Sequence, residues 1–286
     1  MGKDIHSLWI GTGEKQVFYS ASYHANESIT TPVLLTFAEE YAAAYAAGGN
    51  IVFSSAVREE HSGQTGMGQE FVDARTLFDE YRLCMVPLVN PDGVDLVNGL
   101  LNRGIYYRRA RQIADDYPAI PFPDGWKANI DGVDLNLQFP AGWEMAKQIK
   151  FSQGYDKPAP RDFVGEAPLT APESVAVYEL TKENDFLLIL AYHTQGEVIY
   201  WKYLDYEPAR SKEIADYFAS VSGYAVEETP SASGYAGYKD WFIEEYDRPG
   251  YTVEAGMGEN PLPMTQVERI YHDNKGILVG GMTQLR

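Results

Sequence analysis

The stretch Tyr19-Ser20-Ala21-Ser22-Tyr23-His24-Ala25-Asn26-Glu27 decides how the rest of the chain is read. Residues 17–22 are small, apolar or aromatic, as in a buried strand. Thr30-Thr31-Pro32 then opens a helix, with a threonine available as N-cap and proline near the first turn. His24 and Glu27 fall in the turn between, at the carboxyl end of a strand, where open α/β sheets place their sites. An imidazole and a carboxylate leaving one short turn can grip a single zinc ion, because the turn fixes their separation beforehand. The same pair also describes a histidine capping a helix beside an ordinary first-turn acid. Taken alone, the pattern does not choose.

Outward from that turn, apolar runs alternate with helical spacing over all 286 residues. Strands are predicted at 5–10, 51–57 and 83–89, the last closed by a turn at Asn90-Pro91-Asp92-Gly93. Helices are predicted at 32–47, ended by Gly48-Gly49, and at 69–82, 172–184 and 208–221. Residues 185–192 form the most apolar run, a central strand covered on both faces that delivers His193. A short strand at 250–255 carries Glu254, and Asn260-Pro261 opens a closing helix to about Tyr271. Residues 99–132, with prolines at 118, 121 and 123, suggest a long loop or insertion. With no repeat, no low-complexity tract and no linker, one α/β domain over 1–286 is expected.

The net charge of −18 argues against a nucleic-acid or anionic-membrane surface, which needs positive steering. One basic stretch, Arg108, Arg109 and Arg111 beside Tyr106 and Tyr107, reads as a solvated helix face or as a substrate-facing patch. The single cysteine, Cys84, rules out an intramolecular disulfide and reads as a buried packing thiol. No charged-then-apolar leader opens the chain and no apolar run is long enough for a bilayer span. A cytoplasmic location without membrane insertion is therefore expected, with the cell wall as the alternative. His6, His61 and His272 read as surface or structural residues.

Three polar groups share one context: His24 with Glu27, His193, and Glu254 each follow or end a short apolar strand. Catalytic zinc wants three protein ligands and an open position, which two histidines and a carboxylate supply. A further carboxylate must take a proton from water and return it to the leaving amine. Glu254 is the candidate base; its alternative is a buried acid paired with a structural arginine.

The order His24-x-x-Glu27, Gly132-Val133-Asp134-Leu135-Asn136, His193, Thr252-Val253-Glu254 resembles the zinc carboxypeptidase family over nearly the whole chain. More narrowly, His24-Ala25-Asn26-Glu27, Asp134-Leu135-Asn136-x-Gln138-Phe139-Pro140, Ala236-Gly237-Tyr238-Lys239-Asp240-Trp241 and Glu259-Asn260-Pro261-Leu262-Pro263 are similar to its γ-D-glutamyl-meso-diaminopimelate peptidase branch. The resemblance implies a twisted mixed sheet of about eight strands flanked by helices, one zinc ion, and a murein peptide containing D-glutamate and diaminopimelate as substrate. It implies His24, Glu27 and His193 as metal ligands, and zinc-activated water with Glu254 as general base. It matches Lys127, in Trp126-Lys127-Ala128-Asn129, to the family's oxyanion-stabilising arginine.

The departures carry information too. Family members have Asn-Arg where this chain has Asn136-Leu137, and leucine cannot clamp a C-terminal carboxylate. Asn136 remains a carboxylate donor. Lys239 falls where the family sets side-chain specificity and reads either as a partner for a substrate carboxylate or as a surface lysine. The family's mobile tyrosine has no clean match, since Tyr235 and Tyr238 lie at another spacing, and Met1 falls inside the family's lead-in to its first strand. Against the murein peptidase stand a zinc carboxypeptidase or amide deacylase of other specificity and, from another class, an inactive murein-peptide-binding module. A pure binder has no need of the base.

Overall fold

The computed structural model describes residues 3–58 and 65–285. The strands are β1 Leu8–Ile10, β2 Lys15–Ala21, β3 Asn50–Arg58, β4 Thr65–Asp73, β5 Tyr81–Val86, β6 Phe186–His193, β7 Val198–Tyr200, β8 Ala225–Glu227 and β9 Gly250–Glu254. The helices are α1 Thr30–Ala47, α2 Ala74–Glu80, α3 Pro91–Val97, α4 Gly104–Asp115, α5 Trp143–Ser152, α6 Pro172–Lys182, α7 Ser211–Ser222, α8 Tyr238–Tyr246 and α9 Val267–Thr283.

Seven strands make one mixed sheet in the order β1-β5-β2-β6-β9-β7-β8. Its centre is parallel: β5, β2, β6 and β9 run the same way, while β1 and β7 pair antiparallel to their neighbours. Parallel strands need covering on both faces, and their side chains alternate accordingly. On β2, Val17, Tyr19 and Ala21 join a core under α1, α7 and α9, whereas Phe18 joins Ile189 and Ala191 against α6 and α8. The expected strand at 185–192 is β6, and all of its side chains are buried except the half-buried Leu187. The hairpin of β3 with β4 stands outside this sheet and joins the main core through Ile51 and Phe53.

Several expectations change. Residues 69–73 lie in β4, paired antiparallel to β3, so the helix predicted at 69–82 is reduced to α2. Asp73 caps that helix, accepting from the Thr76 N–H at 2.7 Å. Asn90-Pro91 is not a plain turn: the Asn90 carboxamide accepts from the Gly93 N–H and Pro91 takes the first position of α3. The closing helix begins at Val267 and continues to Thr283, well past Tyr271. Within 99–132, α4 occupies twelve residues and carries Arg108, Arg109 and Arg111. Arg109 pairs with Asp131 and Arg111 with Asp115, all four more than two-fifths exposed, which makes this face a solvated one. Cys84 is buried, and burial pushes its thiol up to about 12. His61 lies outside the described residues.

Candidate functional site

The parallel strands β2, β6 and β9 are neighbours, so their carboxyl ends open on one edge of the sheet. After β2 the chain turns at Ser22, whose φ of 55° is unusual for a residue with a Cβ. Hydroxyls hold this bend: Ser22 Oγ lies 3.0 Å from Thr30 Oγ1 and 2.8 Å from Thr31 Oγ1. Thr30 also donates to the Glu27 carbonyl at 2.8 Å; it ties the turn to α1 and makes no N-cap. Residues 25–27 form a single 3-10 turn that carries His24 and Glu27 into the sheet edge.

There the three expected ligands meet. The Nδ1 atoms of His24 and His193 face each other at 3.2 Å. His24 Nδ1 lies 2.9 Å from Glu27 Oε1, and His193 Nδ1 lies 2.9 Å from Glu27 Oε2. Glu27 also accepts from Lys127 Nζ at 2.9 Å and from the Thr194 N–H at 3.3 Å. Burial raises the affinity of Glu27 for a proton, but His24, Lys127 and His193 outweigh it and hold the carboxyl well below its usual range. Each of His24, Glu27 and His193 offers one atom within 4.8 Å of the others, so the group could hold one metal ion. Two imidazole nitrogens and a carboxylate suit zinc, and two Nδ1 atoms turned towards one another need a cation or a shared proton between them.

Asp134 completes the orientation. Its Oδ1 lies 3.1 Å from His24 Nε2, the ring nitrogen turned away from the cluster, as acids behind metal-bound histidines do. Burial opposes charge on His24, yet Glu27 and Asp134 prevail over Lys127 and raise its pKa to about 9. In the sequence Asp134 stands only as part of the Asp134-Leu135-Asn136 motif, and the fold gives it this place behind His24. The available signal was that a histidine ligand needs a carboxylate behind it. His193 stacks on Tyr23, with ring centroids 5.6 Å apart, and its Nε2 is buried without a partner among the described residues.

Glu254 ends β9 directly beside His193 in register. Its carboxylate makes no hydrogen bond to a described residue and has no arginine partner among them. Burial raises its pKa, with Glu27 adding to that and His193 opposing it. Lys127 sits on a loop anchored by the buried Trp126 and by the Ala25 N–H, which donates to the Lys127 carbonyl at 2.9 Å. Its ammonium is paired with Glu27.

A cavity of about 280 Å³ extends from this cluster, lined among others by Asn136, Lys239, Asp240 and Glu254. Asn136 accepts from the Tyr238 N–H at 3.0 Å, which leaves its Nδ2 for the cavity. Lys239 is buried; it is not a surface residue, and its Nζ lies 2.6 Å from Asp240 Oδ1 and donates to the Lys202 carbonyl at 2.6 Å. Tyr238 is a core residue, its hydroxyl 2.9 Å from Thr181 Oγ1, and Tyr235 is half-buried. A second, open groove of about 1310 Å³ shares Lys127 and Glu254 and adds Asn26, Thr194 and Asn260. No helix among the described residues is long and apolar enough to cross a membrane.

A mixed sheet that gathers two histidines and a carboxylate beyond the carboxyl ends of its parallel strands defines an α/β protein with a donor set that could hold one metal ion. The chain belongs to the zinc carboxypeptidase family, whose model matches residues 2–276. It is 42% identical over 284 residues to gamma-D-glutamyl-L-diamino acid endopeptidase 1 of Lysinibacillus sphaericus, covering 99% of this chain and 65% of that protein. The chain thus spans just under two thirds of that relative's length. Among solved structures, bovine thrombin-activatable fibrinolysis inhibitor superposes with a TM-score of 0.66 at 14% identity, over 98% of this chain and 85% of that one. The murein-tripeptide amidase MpaA of Escherichia coli O157 does so with 0.53 at 15% identity, over 95% and 85%. These two likenesses establish the fold. Family and donor set together identify the cofactor as zinc.

Proposed function

We propose that this chain is one catalytic domain that hydrolyses the γ-D-glutamyl–diaminopimelate bond of murein peptides, with His24, Glu27 and His193 as its zinc ligands. The observation that carries the reading is the convergence of both Nδ1 atoms on Glu27, with the Glu254 carboxylate beside His193 and without a hydrogen-bond partner among the described residues. The name of the 42% identical relative supplies the substrate class. When bound, zinc supplies Lewis acidity towards the scissile carbonyl and makes water more acidic.

The chain's own groups do the rest. Asp134 keeps His24 in one orientation. Glu254 takes a proton from the attacking water and delivers it to the amine nitrogen as the C–N bond breaks. Lys127 offers a positive charge to the oxygen that becomes negative. Asn136 Nδ2 and the buried Lys239 face the arm of the cavity that takes the leaving diamino acid. Leu137 is buried and apolar, so position 137 cannot supply the bidentate clamp that a simple C-terminal carboxypeptidase places there.

The test is incubation of purified protein with γ-D-glutamyl-diaminopimelate tri- and tetrapeptides, with and without a chelator. Chelator-sensitive release of diaminopimelate product supports the reading. Cleavage of ordinary C-terminal dipeptides alone would assign another specificity. Peptide binding without product would make the chain a binding module.

A further inference from the structure

One guanidinium on the cavity wall has no part in that chemistry. Arg161 lines both the 280 Å³ cavity and the 1310 Å³ groove and, among the described residues, is the one arginine in either. Its Nε donates to Asp162 Oδ2 at 2.6 Å, while Asp162 Oδ1 accepts from the buried Lys150 Nζ at 2.6 Å. Asp162 is fixed in turn. Its N–H donates to Asp134 Oδ2 at 3.1 Å, and its φ of 66° is a left-handed conformation that the surrounding bonds must hold. Since Asp134 also holds His24, the guanidinium is registered to the metal-ligand cluster through two residues.

The other edge of the fork is free. The two Nη groups make no hydrogen bond to any described residue, and the side chain is 41% exposed. A planar cation held along one edge and open along the other matches a carboxylate bidentately. Lys127, Arg161 and Glu254 all belong to the region where the two cavities overlap, so Arg161 lies beside the place of bond cleavage. The cavity arm with Asn136 and Lys239 takes the leaving group, which leaves the groove for the acyl side. A γ-linked glutamyl donor differs from an ordinary peptide in one charged feature: a free α-carboxylate a few carbons from its scissile carbonyl.

We propose that Arg161 determines specificity by binding that α-carboxylate on the acyl side of the scissile bond. This rests on the γ-D-glutamyl peptidase reading given above, and it separates free glutamyl donors from those amidated at the α-position. The carboxamide is neutral and offers a single acceptor oxygen, so the fork loses its charge partner.

The experiment compares kcat/KM for two γ-D-glutamyl-diaminopimelate peptides, one with a free α-carboxylate and one with an α-carboxamide. Wild-type protein is expected to prefer the carboxylate by about tenfold to a hundredfold, the range of a charge-assisted hydrogen bond. In Arg161→Gln the ratio should fall towards one, and Arg161→Lys should lie between. Both substrates are read on one preparation, so incomplete folding of a variant leaves the ratio unaffected. A wild-type ratio near one, or an Arg161→Gln ratio equal to wild type, overturns the proposal while the peptidase reading stands. Failure of the wild type to cleave either peptide overturns both.

Discussion

Glu254 and Asp134 act on the site in different ways, and single substitutions separate them. On the proposed reading, Glu254→Gln removes the proton acceptor and leaves the three ligands in place. Turnover should fall at least about a hundredfold, while zinc stoichiometry measured by elemental analysis stays at one. Asp134→Asn instead loosens His24 by removing the charge 3.1 Å behind its Nε2. Its apparent zinc affinity, read by competition with a chromogenic chelator, should weaken about tenfold to a hundredfold. Equal zinc affinity in Asp134→Asn and wild type would deny Asp134 its positioning role. His24, Glu27, His193 and Glu254 stand after apolar strands, but it was the family resemblance that singled them out, and the fold brings them to one edge of the sheet. Asp134 and Arg161 end no apolar strand, so only the fold places them behind His24 and on the cavity wall.

At the scale of elements, the long closing helix α9 shows where local propensity misleads. Gly276, Gly280 and Gly281 lower helix propensity beyond Tyr271, where the expected helix ends. The fold uses them for close packing: a Cβ at 281 would run into the Tyr19 hydroxyl, which donates to the Leu278 carbonyl at 2.7 Å. Gly281→Ala, usually favourable in a helix, should here destabilise by about 1 to 3 kcal/mol in urea denaturation. A stabilised variant would mean that Tyr19 moves aside freely. Leu190, fully buried in the central strand β6, is the opposite case, and Leu190→Ala should cost about 2 to 5 kcal/mol in the same assay. The hairpin strand β4 was misread because Phe71 falls at helical spacing from Phe78, whereas its actual neighbour is Val52 across the hairpin. Cross-strand pairing of that kind leaves no periodic trace in a single segment. β2 and β6, buried on both faces, were readable as continuous apolar runs.

For the whole molecule, a mixed sheet brings residues 24, 27, 193 and 254 together only when it is folded, so metal and fold stabilise each other. Zinc at a hundredfold over its Kd should contribute about 2.7 kcal/mol, and a chelator should lower Tm by roughly 5 to 10 °C. Calorimetric scans with and without chelator measure this, and coincident scans would mean that the cation adds nothing to the folded state. On the proposed reading both imidazoles serve one ion, which a calorimetric zinc titration of metal-free wild type and His193→Ala tests. One site per chain in the wild type, with affinity lost in the variant, is the predicted result. Absence of a wild-type site, or undiminished binding after removal of His193, would contradict it.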